Sequence, residues 1–432
     1  MKLSYDDALM RTDLSATEKI SPQVLREAHD EVQKLHQEGE QGWLSILDDA
    51  EYLKAIDAQV KKFSKFKNCL VIGTGGSDLG TRALLEALRR GTLYAVRGTR
   101  LFFSGDTTDP EAIAEVLDQI PWKQACINII SKSGGTLEPM SVFFEARRRL
   151  EKAVGVKTAA SRIICTTDAE KGVLKEMSQS KGYATLTVPE NIGGRFSVLT
   201  AVGLFPLAMT GINIKNLLKG AIEMRDDWME APGASHPADR FAAWQVAHET
   251  KKKRNMHVLF TYASSLNGVS HWWRQLWAES LGKATLLNGR PNVYGPTPIA
   301  SMGPTDQHSQ MQLYHEGPDN KIYTFVTVGA LRAKLTVPAS AKSYEATSYM
   351  AGKSFLDLLN AEANGSMQAL AEIERPVGNI KLAKIDEQSL GNLICFFEIA
   401  AAVAGQLYGI NAFDQPGVEA SKKKTKEILT KM

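Results

Sequence analysis

Two loops and one helix in this sequence hold side chains suited to binding an anion and moving a proton. The segment Ser131-Lys132-Ser133-Gly134-Gly135-Thr136-Leu137-Glu138 has three hydroxyls and two glycines directly ahead of Pro139, a favoured first-turn residue. Hydroxyls and the free amides of a helix N-terminus make a compact anion site, and a phosphate monoester fits its size and charge. A plain helix cap needs one hydroxyl, not three. Lys132 fits either the anion or an outward orientation, and Glu138 is equally a first-turn dipole partner. The second loop, Gly73-Thr74-Gly75-Gly76-Ser77-Asp78-Leu79-Gly80, follows an apolar run and opens a helix. Asp78 stands where a dinucleotide fingerprint needs glycine, and the Lys-Ser/Thr ending of a nucleotide P-loop is absent. What remains is a flexible turn whose amides, with Ser77, approach an anionic or hydroxyl-rich ligand, or else a tight turn for packing alone.

The helix is predicted over 269–281. Its run Trp272-Trp273-Arg274-Gln275-Leu276-Trp277 predicts a poorly solvated carboxylate at Glu279, the environment that suits a general base. Gln275 lies four positions earlier on the same face, placed to hydrogen-bond a ligand. The plain alternative is a surface carboxylate paired with Lys283 at i+4. Arg195 is a permanent cation able to fork two hydrogen bonds to oxygens, or a structural ion-pair partner. His308 stands in a polar turn after Gly303-Pro304-Thr305-Asp306; the seven other histidines receive no role.

These residues need a scaffold. Short apolar runs at 69–72, 101–103, 127–130, 162–165 and 184–188 read as buried strands, with helical patterns between them at 82–89, 110–117, 139–151 and 171–177. Such alternation predicts an α/β fold with a parallel sheet covered on both faces. A second, less regular set follows: strands at 258–262, 322–328 and 380–385, helices at 238–250, 269–281, 352–374 and 388–408. Its strand order is not readable, although the two halves suit one shared architecture. The first sixty residues are helical in pattern, with Ser15 and Thr17 as cap candidates. Residues 189–216 link the halves, and a basic amphipathic helix over 418–431 closes the chain. The expected division is a helical segment 1–60, an α/β domain 61–190, a linker 191–216 carrying Arg195, a second α/β domain 217–408 and a tail 409–432. In open α/β sheets ligands bind beyond the carboxyl ends of the strands, where both loops lie.

At 432 residues the chain exceeds what one hydrophobic core usually organises, so two domains are the natural expectation. A net charge of +3 with both signs interspersed argues against a dedicated nucleic-acid or membrane binder. The basic runs 251–254 and 422–424 are short and read as solvated surface. Cys69, Cys126, Cys165 and Cys395 lie far apart in apolar stretches with no metal spacing, as reduced core thiols do. The start, MKLSYDDALMR, lacks the apolar core of a signal peptide. The apolar run 396–408 contains Glu398 and Gln406 and reads as a buried helix. A soluble, cytoplasmic protein is expected.

Six motifs in order resemble those of the phosphoglucose isomerase family, from about residue 70 to 422. The glycine loop is similar to GIGGSxLG, and SKSGGTLEP resembles the family's phosphate loop. Gly193-Gly194-Arg195-Phe196-Ser197 resembles GGRYS, and Glu279-Ser280-Leu281-Gly282-Lys283 resembles ESNGK. Gln307-His308-Ser309 matches QHS, and Phe413-Asp414-Gln415-Pro416-Gly417-Val418-Glu419 resembles FDQWGVE, with Lys422 at the matching offset. Leu281 replaces an asparagine, Pro416 a tryptophan and Gly134-Gly135 bulkier residues, and GPTD precedes His308 in place of GTNG. None of these departures removes a charged group.

The resemblance implies two sugar-isomerase (SIS) type three-layer αβα domains. It implies reversible isomerisation of glucose 6-phosphate and fructose 6-phosphate through a cis-enediol(ate), with no cofactor and no metal. Glu279 is then the base, Arg195 stabilises the enediolate, and His308 and Lys422 assist ring opening. His308 is implied to reach the active site of the partner subunit in a homodimer with shared sites. Gly76, Ser77, Gly194, Gln275, Ser131, Lys132, Ser133 and Thr136 hold the substrate, with the phosphate on the 131–136 loop. Two readings compete. A non-enzymatic sugar-phosphate sensor would keep the hydroxyl loop without needing Glu279, Arg195, His308 and Lys422 together. An isomerase preferring mannose 6-phosphate would use the same carboxylate.

Overall fold

Short apolar runs bounded by glycines and polar turns become two five-stranded sheets in the computed structural model, which describes residues 3–11, 13–89, 98–231 and 235–432. The chain opens on β1 (Leu3–Asp6) and later forms β2 (Asn68–Ile72), β3 (Arg100–Ser104), β4 (Ala125–Ile130), β5 (Ile163–Thr167) and β6 (Ala184–Thr187). The last five make an all-parallel sheet in the order β3-β2-β4-β5-β6. β2 and β4 are buried at every position, as strands covered on both faces must be. The second sheet contains β7 (Met256–Thr261), β8 (Thr297–Met302), β9 (Lys321–Val328) and β10 (Val377–Leu382). Its order is β1-β10-β9-β7-β8, parallel except for β1, which runs antiparallel to β10. Apart from β1 the sheets share one winding: the second strand lies to one side of the first, and the third crosses to the other. The fold is thus α/β with two SIS-type layered halves.

The helices that matter for the site are α1 (Leu79–Leu88), α2 (Leu137–Val154), α3 (Ala201–Met209), α4 (Ile214–Glu230), α5 (Pro237–Lys252), α6 (Asn267–Leu281), α7 (Glu387–Tyr408) and α8 (Glu419–Lys431). By length and apolarity the 22-residue α7 could cross a membrane, yet it is buried along nearly its whole length, packed by α4, α5 and α6. All four cysteines are buried and unpaired.

Several sequence expectations need correction. The first sixty residues are not helical throughout, because Leu3 and Tyr5 alternate with exposed neighbours and complete the edge of the second sheet. The first long helix, Pro22–Gln37, is capped by Ser21 rather than Ser15 or Thr17. β8 escaped notice because its sequence, Thr-Pro-Ile-Ala-Ser-Met, is only half-buried and weakly apolar. The span between the halves is no open linker: α3 is buried at almost every residue and belongs to the core. The terminal helix α8 buries no residue at all, so it has no core face within one subunit.

One buried group exposes the cost of this core. Glu398 in α7 is 1% exposed, its Oε1 has no hydrogen-bond partner, and burial holds its carboxyl well above the usual range. A raised folded-state pKa weakens the fold only where the unfolded carboxyl ionises, above about pH 4.3. Glu398→Gln should therefore stabilise the protein at pH 7 by about 1 kcal/mol or more, the gain vanishing by about pH 4. Urea unfolding at both pH values measures this; an equal gain at both would assign the effect to packing.

Candidate active site

Antiparallel packing of α1 against α6 decides where the site forms. Glycines let the two helices touch: a Cβ on Gly80 would lie 3.2 Å from the Trp272 ring, and one on Gly268 2.9 Å from Ala83 Cα. The glycine loop at the start of α1 is thereby carried to the far end of α6, where a Cβ on Gly75 would meet Gln275 Nε2 at 2.8 Å. The same loop is closed on its other side by Gly194, whose carbonyl would be 2.2 Å from a Cβ on Gly76. Only glycine fits at Gly76, and the contact brings the neighbouring Arg195 to the end of α6.

Glu279 stands in the last turn of α6. Gln275 Nε2 donates to its Oε1 at 3.0 Å, and Arg195 Nη1 lies 3.6 Å from its Oε2. The carboxylate is 34% exposed, which corrects the expectation of poor solvation. Trp272, Trp273 and Trp277 are all buried in the core, whereas Glu279 is not.

Arg195 is buried, and its donors are largely committed to protein. Nε donates to Ser280 Oγ at 2.7 Å and Nη1 to Gln415 Oε1 at 2.9 Å. Nη2 donates to the Ala412 carbonyl and, at 3.0 Å, to that of Asp414. A guanidinium has five N–H groups, so one remains, on Nη1 beside Glu279. The expected two-bond fork onto a ligand is thus not open in this arrangement. Burial lowers the Arg195 pKa to about 10, with Glu279 and Asp414 opposing the shift, so the group stays cationic at neutral pH.

Across from Glu279 lies the hydroxyl loop that joins β4 to α2. Ser131 Oγ accepts from the Gly134 amide at 3.1 Å and Ser133 Oγ from Gly135 at 3.3 Å, which curls the loop. Thr136 occupies the N-cap of α2 without a capping side-chain bond, and with Leu137 and Glu138 it lines a cavity. Lys132 departs from the phosphate-ligand expectation: its ammonium donates to the carbonyls of Glu190 at 2.7 Å and Ile192 at 3.1 Å.

A cavity of about 1350 Å³ joins these parts, lined by Thr74, Ser77, Ser131, Lys132, Ser133, Thr136, Gly194 and Gln415, with α8 as its outer wall. Lys422 lines that wall and pairs with Glu419 at 2.8 Å. Arg195 borders the cavity through the adjacent Gly194 and its bond to Gln415, and Glu279 and Gln275 stand behind Arg195 without lining the cavity. His308 does not border it. A residue beside the end of α6, Gly295, lies just ahead of β8, within 3.7 Å of Gly282 when given a Cβ. His308 follows the opposite, carboxyl end of β8 and is exposed. Strand and helix rises put it roughly 15–20 Å from Glu279 of its own chain. The rule that site residues follow strands therefore holds for the first sheet but not for Glu279, which sits near the amino ends of β7 and β8.

Sequence reasoning gave no role to Ser280, Ala412, Asp414 and Gln415 and read Lys283 only as a surface partner of Glu279, yet these five hold the site together. Four of these lie inside the quoted motifs, but contacts through main-chain carbonyls leave no signature in residue type.

The family model for phosphoglucose isomerase matches residues 45–432. A glucose-6-phosphate isomerase of Rubrobacter xylanophilus is 39% identical over 357 residues, 82% of this chain and 80% of that protein. One of Carboxydothermus hydrogenoformans is 39% identical over 84% of this chain and 79% of its own. A solved structure of a hypothetical protein from Thermus thermophilus superposes with a TM-score of 0.86 at 30% identity, covering 99% of each chain. The structure of a Chlamydia trachomatis glucose-6-phosphate isomerase, 20% identical, shares the fold with a TM-score of 0.82, covering 99% of this chain and 88% of its own. With six motifs in order, a matching fold and a match from residue 45 to the end, the chain belongs to the phosphoglucose isomerase family.

Proposed function

We propose that this enzyme interconverts glucose 6-phosphate and fructose 6-phosphate, an aldose–ketose isomerisation of glycolysis and gluconeogenesis, with the chemistry centred on Glu279. The observation that carries the reading is the Glu279 carboxylate itself, oriented by Gln275 and facing a buried cation beside a cavity that ends in a hydroxyl-rich helix N-terminus. The phosphate binds at Ser131, Ser133, Thr136 and the first amides of α2, where the helix dipole favours negative charge. Lys132 acts by fixing the 190–192 backbone beneath the loop. Gly76, Ser77 and Gly194 present backbone and hydroxyl groups to the sugar.

After ring opening, Glu279 takes the C2 proton and returns it to C1. The proton stays on one carboxylate, so no external acid, base or redox partner is consumed. Negative charge that leaves Glu279 appears on the enediolate oxygens, within reach of the Arg195 N–H that the protein leaves open. A preorganised, desolvated cation stabilises such charge more than a solvated one does. Lys422 on α8 and a histidine serve the ring-opening step.

That histidine belongs to a second copy. His308 is exposed and too far from Glu279 of its own chain, so a site containing both takes them from two subunits. Residues 335–355 support the same assembly: two short turns, Ala339–Ser343 and Glu345–Met350, expose Leu335, Tyr344, Tyr349 and Phe355. Apolar surface of this kind suits an interface core. A cytoplasmic homodimer with shared sites is the assembly proposed.

Glu279→Gln should fold normally and lose about 10²–10⁴-fold in kcat, read with purified protein and fructose 6-phosphate in a coupled dehydrogenase assay. Near-normal turnover would remove Glu279 from the role of base. Mixing His308→Ala with Glu279→Gln chains should regenerate activity, because half of the sites in a hybrid dimer are intact. Hybrids proven to form yet inactive would count against shared sites.

A further inference from the structure

The cavity's outer wall poses a mechanical question. α8 carries Lys422, yet none of its residues is buried, so packing within the subunit does not fix its position. Its location is set by the chain that leads into it, Ala412–Val418, and by whatever holds that chain. Two cations do so. Arg195 donates to the carbonyls of Ala412 and Asp414, and Lys283 Nζ donates to the same Asp414 carbonyl at 2.6 Å, lying 3.5 Å from Asp414 Oδ1. The Lys283 ammonium also donates to the Glu279 main-chain carbonyl, one of the unpaired carbonyls at the end of α6. One side chain thus touches both the backbone of the base and the root of the helix bearing Lys422.

We propose that Lys283 is a positioning residue that registers α8, and with it Lys422, against Glu279. The inference rests on the isomerase reading above. Three features favour it over a plain surface ion pair. The Lys283 side chain is only 6% exposed, and its bond to the Glu279 carbonyl is partly buried, although Asp414 is open to water. Its contacts are to main chain, which transmits position directly to both elements. Its own carbonyl accepts from Asn292 Nδ2 at 2.9 Å, which fixes the backbone from which the side chain reaches.

The arrangement also makes the contact sensitive to pH. Burial lowers the Lys283 pKa to about 8, assisted by the neighbouring Arg195 and opposed by Asp414 and Glu279. The ammonium is present below that value and lost as pH rises through it, while Arg195, at about 10, is still charged. An alkaline decline beginning near pH 8 follows, in a range where the second cation remains.

The test is kcat/KM between pH 6.5 and 9.5 for wild type, Lys283→Met, Lys422→Ala and the double variant, with cooperative thermal unfolding as the check on folding. Lys283→Met should lower kcat/KM about 10- to 100-fold at pH 7, the scale of a displaced catalytic group. In the Lys422→Ala background the same change should cost less than about threefold, because no positioned lysine remains to misplace. The decline near pH 8 should be absent from Lys283→Met. Equal costs in the two backgrounds, or an unmoved alkaline limb, would overturn the proposal. If Lys283→Met fails to fold, Lys283→Gln, which keeps a neutral donor, takes its place in the same cycle. Failure of the isomerase reading looks different: an inactive wild type, or an undiminished Glu279→Gln.

Discussion

The buried guanidinium of Arg195 is the interaction on which the rest of the site depends. It ties three remote stretches together: the 193–197 turn after the first sheet, the end of α6 through Ser280, and the 412–415 segment before α8. Desolvating a cation is costly, and the cost is met by donors placed on four protein acceptors with Glu279 at 3.6 Å. Removing the side chain would leave the buried Ala412 carbonyl short of a donor, at roughly 1–3 kcal/mol, while the Asp414 carbonyl keeps Lys283. The same burial makes the cation useful, because a fixed charge in a dry site needs no reorganisation when a neighbouring oxyanion forms. The arginine's structural role and the catalytic role proposed for it are therefore not rivals.

The second constraint is the absence of side chains between α1 and α6. Where Gly80 meets Trp272 and Gly268 meets Ala83, the helices approach closely and antiparallel. An antiparallel pair brings the start of one helix to the end of the other. The loop at the carboxyl end of β2 thus meets Glu279, which lies near the amino ends of β7 and β8. The first sheet carries the glycine and hydroxyl loops at its winding reversal between β2 and β4, where open sheets commonly bind ligands. The second sheet, although wound the same way, brings Glu279, the proposed base, from the opposite end of a helix.

That asymmetry explains which features the sequence made legible. The three central strands of the first sheet, β2, β4 and β5, are buried at every position, and their largely apolar runs read cleanly from composition. The hydroxyl loop announced itself through residue types that serve few other purposes together. Glu279 stood out through its helix and its motif, but the surrounding tryptophans pointed to a drier environment than the one it has. Periodicity puts Trp273 and Trp277 on faces other than that of Glu279, and Trp272, on its face, stands two turns away. β1 and β8 were illegible for a different reason: each is stabilised by pairing at a sheet edge rather than by its own apolarity. The buried α3 looked like a link between halves because connectivity alone does not show that both halves pack on it.

Lys132 and Lys283 show how far residue type falls short of function. Each lysine lies close to the site, and each seemed to have an obvious partner in sequence, a phosphate for one and Glu279 for the other. In the fold both ammonium groups bind main-chain carbonyls instead: Glu190 and Ile192 for Lys132, Glu279 and Asp414 for Lys283. A carbonyl is an acceptor whatever its side chain, so such contacts are invisible to any reading of charge pairs. Their consequence is mechanical. A lysine bound to backbone fixes where a loop stands, while the neighbouring hydroxyls and amides remain free to meet a ligand. In a site whose outer wall, α8, buries nothing, this division of labour lets one face stay open to substrate and still be held in register.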